Sequence, residues 1–100
     1  MQAIPQTVTR TIVTISGRVQ AVGFRQTVLE IAQRYAVAGT VRNVRQGGRL
    51  EIDAEGDENA VRAFLDEVLA HPPHFARVDY VERRIAEPRG AAGFREVPTA

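Results

Sequence analysis

The stretch TVTRTIVTISGRVQAVGFRQTVLEIAQRY, residues 7–35, decides the fold, because its hydrophobic period changes from that of a strand to that of a helix. Thr7 to Ser16 is rich in Thr, Val and Ile, which predicts a β-strand. Gly17 to Gly23 begins and ends with glycine and predicts a loop. A predicted helix begins at Phe24, and Gly39 is expected to end this helical segment. The apolar face of the helix consists of Phe24, Val28, Ile31, Ala32 and Tyr35.

The next segment predicts a β-hairpin. Thr40 to Val44 is short and β-favouring, residues 46–48 (Gln-Gly-Gly) predict a turn, and Arg49 to Glu55 alternates between apolar and acidic residues. Such alternation is typical of a strand with one buried face, so Asp53 and Glu55 are expected to face solvent. The opposite, buried face is predicted to carry Leu50, Ile52 and Ala54.

A second helix and two further strands follow the hairpin. Asp57 is the predicted N-cap of the helix, and residues 71–73 (His-Pro-Pro) are predicted to end it, because proline cannot supply a helical amide. Arg77 to Ile85 predicts a long strand, Pro88 to Gly93 a loop, and Phe94 to Val97 a short last strand. The apolar stripe of the helix is predicted to contain Ala60, Val61, Phe64, Leu65, Val68 and Leu69.

The predicted element order is therefore β-α-β-β-α-β. Two helices that each connect parallel strands by a right-handed crossover pack on one face of an antiparallel sheet. This order predicts an α+β ferredoxin-like sandwich, folded as a single domain over residues 1–100 with its core between about residues 8 and 97. The fold carries many unrelated functions, so the function has to be argued from a site.

Composition excludes several classes of function. The 100 residues include no cysteine, which removes disulfides, thiolate metal sites and cysteine nucleophiles and suits a reducing cytoplasm. The 13 basic residues are all arginine, but the net charge is only +1, so no nucleic-acid or membrane partner is expected. An RNA-binding ferredoxin-like domain is disfavoured, because the exposed aromatic pair used for base stacking is missing. We expect a cytoplasmic protein without a signal peptide or membrane helix, and a monomer.

The first strand-to-helix connection is the best candidate for a site. Backbone amides that precede a helix are unpaired, and the helix dipole adds partial positive charge, so Gln20 to Gly23 can hold a phosphate. Arg25 follows in the first turn and can bind two phosphate oxygens with bidentate, charge-assisted hydrogen bonds. Alternatively, Gly17 and Gly23 only turn the chain and Arg25 is a solvated surface residue.

Two motifs resemble those of a known family. The sequence GRVQAVGFR, residues 17–25, closely resembles the acylphosphatase signature, which usually runs G-x-V-Q-G-V-G/x-F-R. The sequence GTVRN, residues 39–43, resembles that family's G-(aromatic)-V-R/K-N, and ARVD, residues 76–79, is a third similarity. The resemblance extends from about Thr9 to Val97 and implies the same β-α-β-β-α-β order.

The resemblance implies hydrolysis of acyl phosphates, the mixed anhydrides of a carboxylic acid and phosphate. The small-molecule acyl phosphate is the implied substrate, and inorganic phosphate is the product or an inhibitor. The implied catalytic residues are Arg25, which binds the phosphoryl group, and Asn43, which positions the attacking water. Neither a cofactor nor a metal is expected, because a carboxylate is a good leaving group. The implied phosphate-binding residues are Gln20, Ala21, Val22, Gly23, Phe24 and Arg25.

The sequence departs from the family pattern near the site. Ala21 replaces a glycine, and Ala in a left-handed conformation would cost about 1 kcal/mol. Thr40 replaces an aromatic residue beside the second motif. These departures motivate an alternative function, a non-catalytic phosphate-binding or regulatory module on the same fold. Arg42 is interpreted either as shaping the local potential or as a strand-surface residue. His71 and His74 are expected on the surface, since two loop histidines make a poor metal site.

Overall fold

The computed structural model describes residues 7–100 and has two layers, a sheet and a pair of helices. A 3₁₀ turn at Gln46–Gly48 connects the second and third strands. In chain order the elements are β1 Val8–Arg18, α1 Phe24–Ala32, β2 Val37–Val44, β3 Arg49–Asp57, α2 Glu58–Ala70, β4 Arg77–Ala86 and β5 Phe94–Glu96.

The strand order in the sheet is β4-β1-β3-β2-β5. The first four strands pair antiparallel, with β1 and β2 flanking β3, so each helix connects two parallel, non-adjacent strands. This arrangement confirms the ferredoxin-like α+β sandwich that the sequence predicted. The short last strand adds a feature, because β5 pairs with β2 in parallel and makes the sheet mixed at that edge.

The core lies between the helices and the facing side of the sheet. Residues that alternate along β1 and β3, such as Val13, Ile15, Leu50 and Ile52, are fully buried there, as the two-residue period of strands requires. Both helices present their predicted apolar faces to these strands. The buried helical residues are Phe24, Val28, Ile31, Ala32, Val61, Phe64, Leu65 and Val68.

The first helix is shorter than predicted. It ends at Ala32, and Tyr35 lies beyond its end, packed against the edge of the core. Gly39, the predicted helix terminator, instead lies inside β2 with a φ of 141°. A Cβ at Gly39 would lie 1.7 Å from the carbonyl oxygen of Asp53 on the neighbouring strand, so glycine is needed there for close backbone approach.

The prediction that Asp53 and Glu55 face solvent is wrong, because the exposed fraction is only 7% for Asp53 and 5% for Glu55. The 87–93 segment crosses this face of the sheet and covers both carboxylates. Glu55 accepts hydrogen bonds from the backbone N–H groups of Arg89 (3.1 Å) and Gly90 (2.7 Å). Arg10 forms a bidentate ion pair with Asp53, with N–O distances of 3.0 and 2.8 Å. Burial is therefore compensated by charge-assisted hydrogen bonds.

Helix α2 begins and ends where the sequence predicted. The Asp57 carboxylate accepts hydrogen bonds from the backbone N–H groups of Asn59 and Ala60, which confirms it as the N-cap. His71 is the residue after the helix, and Pro72 and Pro73 follow it. Within residues 7–100, no helix has the length and apolar character needed to cross a membrane.

Candidate active site

The loop between β1 and α1 turns sharply through two left-handed residues. Strand β1 extends two residues past its predicted end, to Arg18, and the buried Val19 anchors the start of the loop in the core. Ala21 has a φ of 58° and Gly23 a φ of 79°. Ala21 is the one non-glycine residue with positive φ among residues 7–100, at the position where the family pattern has glycine. The loop therefore keeps a backbone shape that alanine adopts only at a cost.

Gly23 is the N-cap of α1, and no side chain caps the first turn of this helix. The first intrahelical bond runs from the Thr27 N–H to the Gly23 carbonyl, at 3.1 Å. By helix geometry the N–H groups of Phe24, Arg25 and Gln26 have no intrahelical acceptor. No acidic residue lies in this first turn, so the positive end of the helix dipole has no neutralising side chain of its own.

Gln20 and Val22 do not line the cleft with their side chains. The Gln20 side-chain amide donates to the carbonyl oxygens of Val44 and Arg49, each at 3.0 Å, and so fastens the loop to the base of the β2–β3 hairpin. Val22 packs against the core. Both residues were predicted to bind phosphate. Because their side chains are engaged elsewhere, they could contact an anion only through main-chain groups. Phe24 is likewise buried, with 1% of the residue exposed.

Asn43 lies near the end of β2, two residues after the buried Val41, so both side chains point toward the helix layer. Its side-chain oxygen Oδ1 is buried and has no hydrogen-bond partner among residues 7–100. Its backbone is held on both sides, because Asn43 pairs with Leu50 of β3 and its carbonyl accepts from the Ala100 N–H at 3.0 Å. A rigid strand thus holds a free acceptor at the site.

The cleft in front of the loop has a volume of about 250 Å³ and contains both predicted catalytic residues. Arg25 enters it from the first turn of α1 and Asn43 from β2, although 18 positions separate them in the sequence. Such a cleft offers a cation, unpaired amides and an uncharged acceptor together, which suits a phosphoryl group with a water beside it. The lining residues are Val19, Ala21, Gly23, Phe24, Arg25, Gln26, Asn43 and Glu96.

Glu96 is a site residue that the sequence analysis missed. Its Oε1 lies 2.8 Å from Nη1 of Arg25, and the two side chains are 44% and 39% exposed. The pairing of β5 with β2, which sets Glu96 beside Val41, brings it to the cleft. No local pattern marks this residue, because its role follows from a parallel pairing between strands that are distant in the sequence.

Three other residues considered in the sequence do not line the cleft. Arg42 is on the opposite face of β2 and forms an ion pair with Glu51 directly across on β3, with Nε and Oε1 2.9 Å apart. This supports the interpretation of Arg42 as a strand-surface residue. His71 and His74 are both exposed in the loop after α2, as expected.

Comparisons with known proteins assign this sequence and fold to one family. The sequence profile of the acylphosphatase family matches residues 11–96. An acylphosphatase of Anaeromyxobacter dehalogenans (strain 2CP-C) is 42% identical over 85 residues, which cover 85% of this chain and 89% of that protein. The chain belongs to the acylphosphatase family. The acylphosphatase of Lactiplantibacillus plantarum is 39% identical over 80% of this chain and 88% of its own length.

Solved structures agree with the assignment to the acylphosphatases. The crystal structure of the acylphosphatase from Bacillus subtilis matches with a TM-score of 0.82 and 35% identity, over 91% of this chain and 99% of that one. Full-length HypF, in its phosphate- and nucleotide-bound form, matches with a TM-score of 0.89 and 32% identity, over 98% of this chain but 13% of its own. The acylphosphatase fold and family assign this protein the hydrolysis of acyl phosphates.

Proposed function

We propose that the protein hydrolyses acyl phosphates by in-line attack of a water molecule that Asn43 positions, while the 20–25 loop and Arg25 hold the phosphate. The observation that carries this mechanism is the buried, unpartnered Oδ1 of Asn43, which lines the same cleft as Arg25. A buried acceptor without a partner costs about 1–3 kcal/mol. An acceptor retained at that cost beside a cation is best explained by a ligand that donates to it, and water is such a ligand.

The proposed chemistry needs little from the protein beyond positioning and charge. The amide of Asn43 is neutral and cannot take a proton, but its oxygen can accept a hydrogen bond from water and aim the water oxygen at phosphorus. The new P–O bond forms as the bond to the acyl oxygen breaks, and the carboxylate leaves with the electron pair. The proton from water passes to a phosphate oxygen of the substrate. The mechanism therefore uses neither a cofactor nor a metal.

The charge that develops on the phosphoryl oxygens is stabilised by the N-terminal turn of α1. Arg25 offers a fork of N–H donors that suits two phosphate oxygens. The unpaired amides of the first turn and of the loop from Gln20 to Gly23 add further donors, aligned with the helix dipole. Preorganised donors of this kind supply most of the rate enhancement in reactions that need no strong acid or base.

We further propose that the enzyme works as a cytoplasmic monomer on a small-molecule acyl phosphate, without nucleic-acid or membrane partners, and that the chain forms a single domain with its core between about residues 8 and 97. The cysteine-free composition suits a reducing compartment, and the net charge of +1 provides no general attraction to polyanions. The buried apolar residues of both helices and the sheet form one core cluster, which supports a single domain. Sedimentation equilibrium of the purified chain would test the monomer.

Turnover of an aromatic acyl phosphate by purified variants tests the mechanism. We expect Asn43→Ala to lower kcat by about 10²-fold or more, because the water loses its orientation, with a much smaller change in phosphate inhibition. We expect Arg25→Gln to lower kcat and also to weaken phosphate inhibition by about 10- to 100-fold, because a charge-assisted bidentate contact is lost.

Matched controls are available for both substitutions. Arg42→Gln makes the same change on the far face of β2, and Asn59→Ala removes an exposed asparagine from α2; both are expected to keep wild-type turnover. Phosphate binding without any turnover by the wild-type protein would contradict the mechanism and favour the non-catalytic anion-binding module. Equal losses in Arg25→Gln and Arg42→Gln would exclude a direct role for Arg25.

A further inference from the structure

A second groove lies between α1 and β5 and has no role in the mechanism above. It has a volume of about 490 Å³. Its wall on α1 comes from Gln26, Leu29 and Ala32, which follow one another at three-residue spacing, and Gln33 continues it just after the helix ends. Its lining combines apolar side chains with a polar rim and consists of Gln26, Leu29, Ala32, Gln33, Tyr35, Val37, Phe94, Arg95 and Glu96.

The apolar side of this α1–β5 groove is built on fixed aromatic rings. Phe94 packs edge-on against the buried Phe64, with ring centroids 5.3 Å apart, and Tyr35 packs against the same ring at 6.2 Å. The Tyr35 hydroxyl donates to Glu67 of α2 at 2.6 Å, and this hydrogen bond raises the pKa of Tyr35. Because its hydroxyl is engaged by α2, Tyr35 offers its ring to the groove.

The α1–β5 groove adjoins the catalytic cleft. Gln26 and Glu96 line both, so the two spaces meet at the first turn of α1, where Arg25 holds the anion site. A substrate whose phosphoryl group is bound there has its acyl carbon one oxygen away from phosphorus. The acyl chain therefore begins at the junction of the two spaces, and the apolar wall formed by Leu29 lies one helical turn farther along α1.

We infer that the α1–β5 groove binds the acyl portion of the substrate and selects acyl phosphates of apolar carboxylic acids. This inference rests on the proposed function, because it uses Arg25 as the anchor of the phosphoryl group. The occupant follows from the adjacency of the two spaces and from the apolar side chains of the wall, such as Leu29 and Phe94, along which a chain of several carbons would lie.

Straight-chain acyl phosphates of increasing length test this inference, because their carboxylate leaving groups have nearly the same strength. We expect kcat/KM of the wild-type protein to rise about two- to threefold per methylene from acetyl to butyryl to hexanoyl phosphate, as partial burial of each methylene predicts. Leu29→Ala and Leu29→Gln should each lower the hexanoyl-to-acetyl ratio about fivefold while leaving inhibition by inorganic phosphate unchanged. Leu29→Met, which keeps the apolar surface, should retain the ratio.

The matched control is Leu69→Ala, which truncates a partly buried leucine of α2 that lies outside the groove and should keep the wild-type ratio. Leu29→Gln preserves side-chain length and helix propensity, so it tests the loss of the apolar surface even if Leu29→Ala unfolds. Wild-type turnover that is independent of acyl length, or equal losses for all substrates in the Leu29 variants, would overturn the acyl site alone. Absence of any turnover would overturn the proposed function together with it.

Discussion

At the scale of single residues, Ala21 adopts a left-handed backbone conformation that costs the protein stability. A left-handed conformation costs an L-residue about 1–2 kcal/mol relative to glycine, and Ala21 holds this conformation at the rim of the cleft. The rest of the loop imposes the shape, since Val19 is buried and Gln20 is bonded to two carbonyls of the hairpin. The cradle geometry therefore persists without the family's glycine, at the expense of stability.

Ala21→Gly should accordingly stabilise the protein by about 0.5–1 kcal/mol, because relief of the left-handed strain exceeds the extra backbone entropy of glycine. Denaturant unfolding at fixed pH measures this difference. The control Ala63→Gly, in the exposed interior of α2, should destabilise by about 1 kcal/mol. A loss of stability in Ala21→Gly similar to that of the control would show that the left-handed conformation carries no strain.

Glu96 is the second residue whose chemistry bears on function. It occupies one side of the Arg25 guanidinium, the group that we propose binds phosphate. Both side chains are more than a third exposed, so solvent screens the ion pair and its strength is about 1 kcal/mol or less. A phosphate dianion can displace so weak a partner, but it would still experience repulsion from the nearby carboxylate.

Glu96→Gln is therefore expected to tighten phosphate inhibition about two- to fivefold, and the gain should diminish at high ionic strength. Inhibition constants for phosphate in low and high salt measure the effect. Glu58→Gln is the matched control, because Glu58 pairs with Arg62 on the surface of α2 and should leave inhibition unchanged. Weaker phosphate binding in Glu96→Gln would instead identify Glu96 as a residue that orients Arg25.

Among the structural elements, the 87–93 connection has a role beyond joining β4 to β5. It lies over Asp53 and Glu55 on the sheet face opposite the helices and donates two backbone N–H groups to Glu55. Hydrogen bonds from the backbone of Arg89, and further ones from Gly90 and Ala91, lower the pKa of Glu55 below its ordinary value of 4.5. The carboxylate form of Glu55 thus fixes the segment that leads into β5, the strand that carries Glu96.

This contact has a defined pH dependence. Because the folded pKa of Glu55 is depressed, its stabilising contribution is fully present above pH 4.5 and is lost as the pH falls through the lower, folded value. Glu55→Gln should melt at a lower temperature than the wild type at pH 7, and this gap should close as the pH is lowered below 4.5. Thermal unfolding across this range measures it.

Glu82→Gln removes an exposed carboxylate from β4 and serves as the control for that series. It should leave the pH dependence of the melting temperature close to that of the wild type. A gap between wild type and Glu55→Gln that stays constant from pH 7 to pH 3 would contradict the assignment of the stabilisation to the charged carboxylate.

For the whole molecule, the proposed anion site couples ligand binding to the stability of the fold. The cleft is formed by the β1–α1 loop, β2 and β5, so its geometry exists only when the sheet is assembled. A ligand that binds the folded chain alone stabilises it by about 2.7 kcal/mol at one hundred times its dissociation constant. For a chain of 100 residues this corresponds to roughly 10–20 °C in melting temperature.

Phosphate should therefore raise the melting temperature of the wild-type protein relative to chloride at the same ionic strength. The increase should be retained in Asn43→Ala, which keeps the anion cradle, and largely lost in Arg25→Gln. Differential scanning calorimetry at increasing phosphate concentration measures both. An equal increase in all three proteins would indicate a general salt effect and would argue against Arg25 as the phosphate ligand.

Local sequence signals predicted most of the elements. Interactions within a few residues set the start of α1 at Phe24, the N-cap at Asp57 and the end of α2 before the prolines. The predicted positions of these features therefore agree with the structure. The errors involve distant partners. Gly39 reads as a helix terminator, yet its lack of a Cβ is required by the neighbouring strand. Asp53 and Glu55 have the alternation of a solvated face, yet a later segment covers them.

The same distinction holds for function. The sequence by itself determined the α+β order, the acylphosphatase resemblance and the prediction of Arg25 and Asn43, because motif spacing and side-chain chemistry are local properties. Only the tertiary structure decided that Glu96 meets Arg25 and that a groove with an apolar wall adjoins the cleft along α1. Both depend on the parallel pairing of β5 with β2, a contact between remote segments whose register is fixed by packing in the assembled sheet.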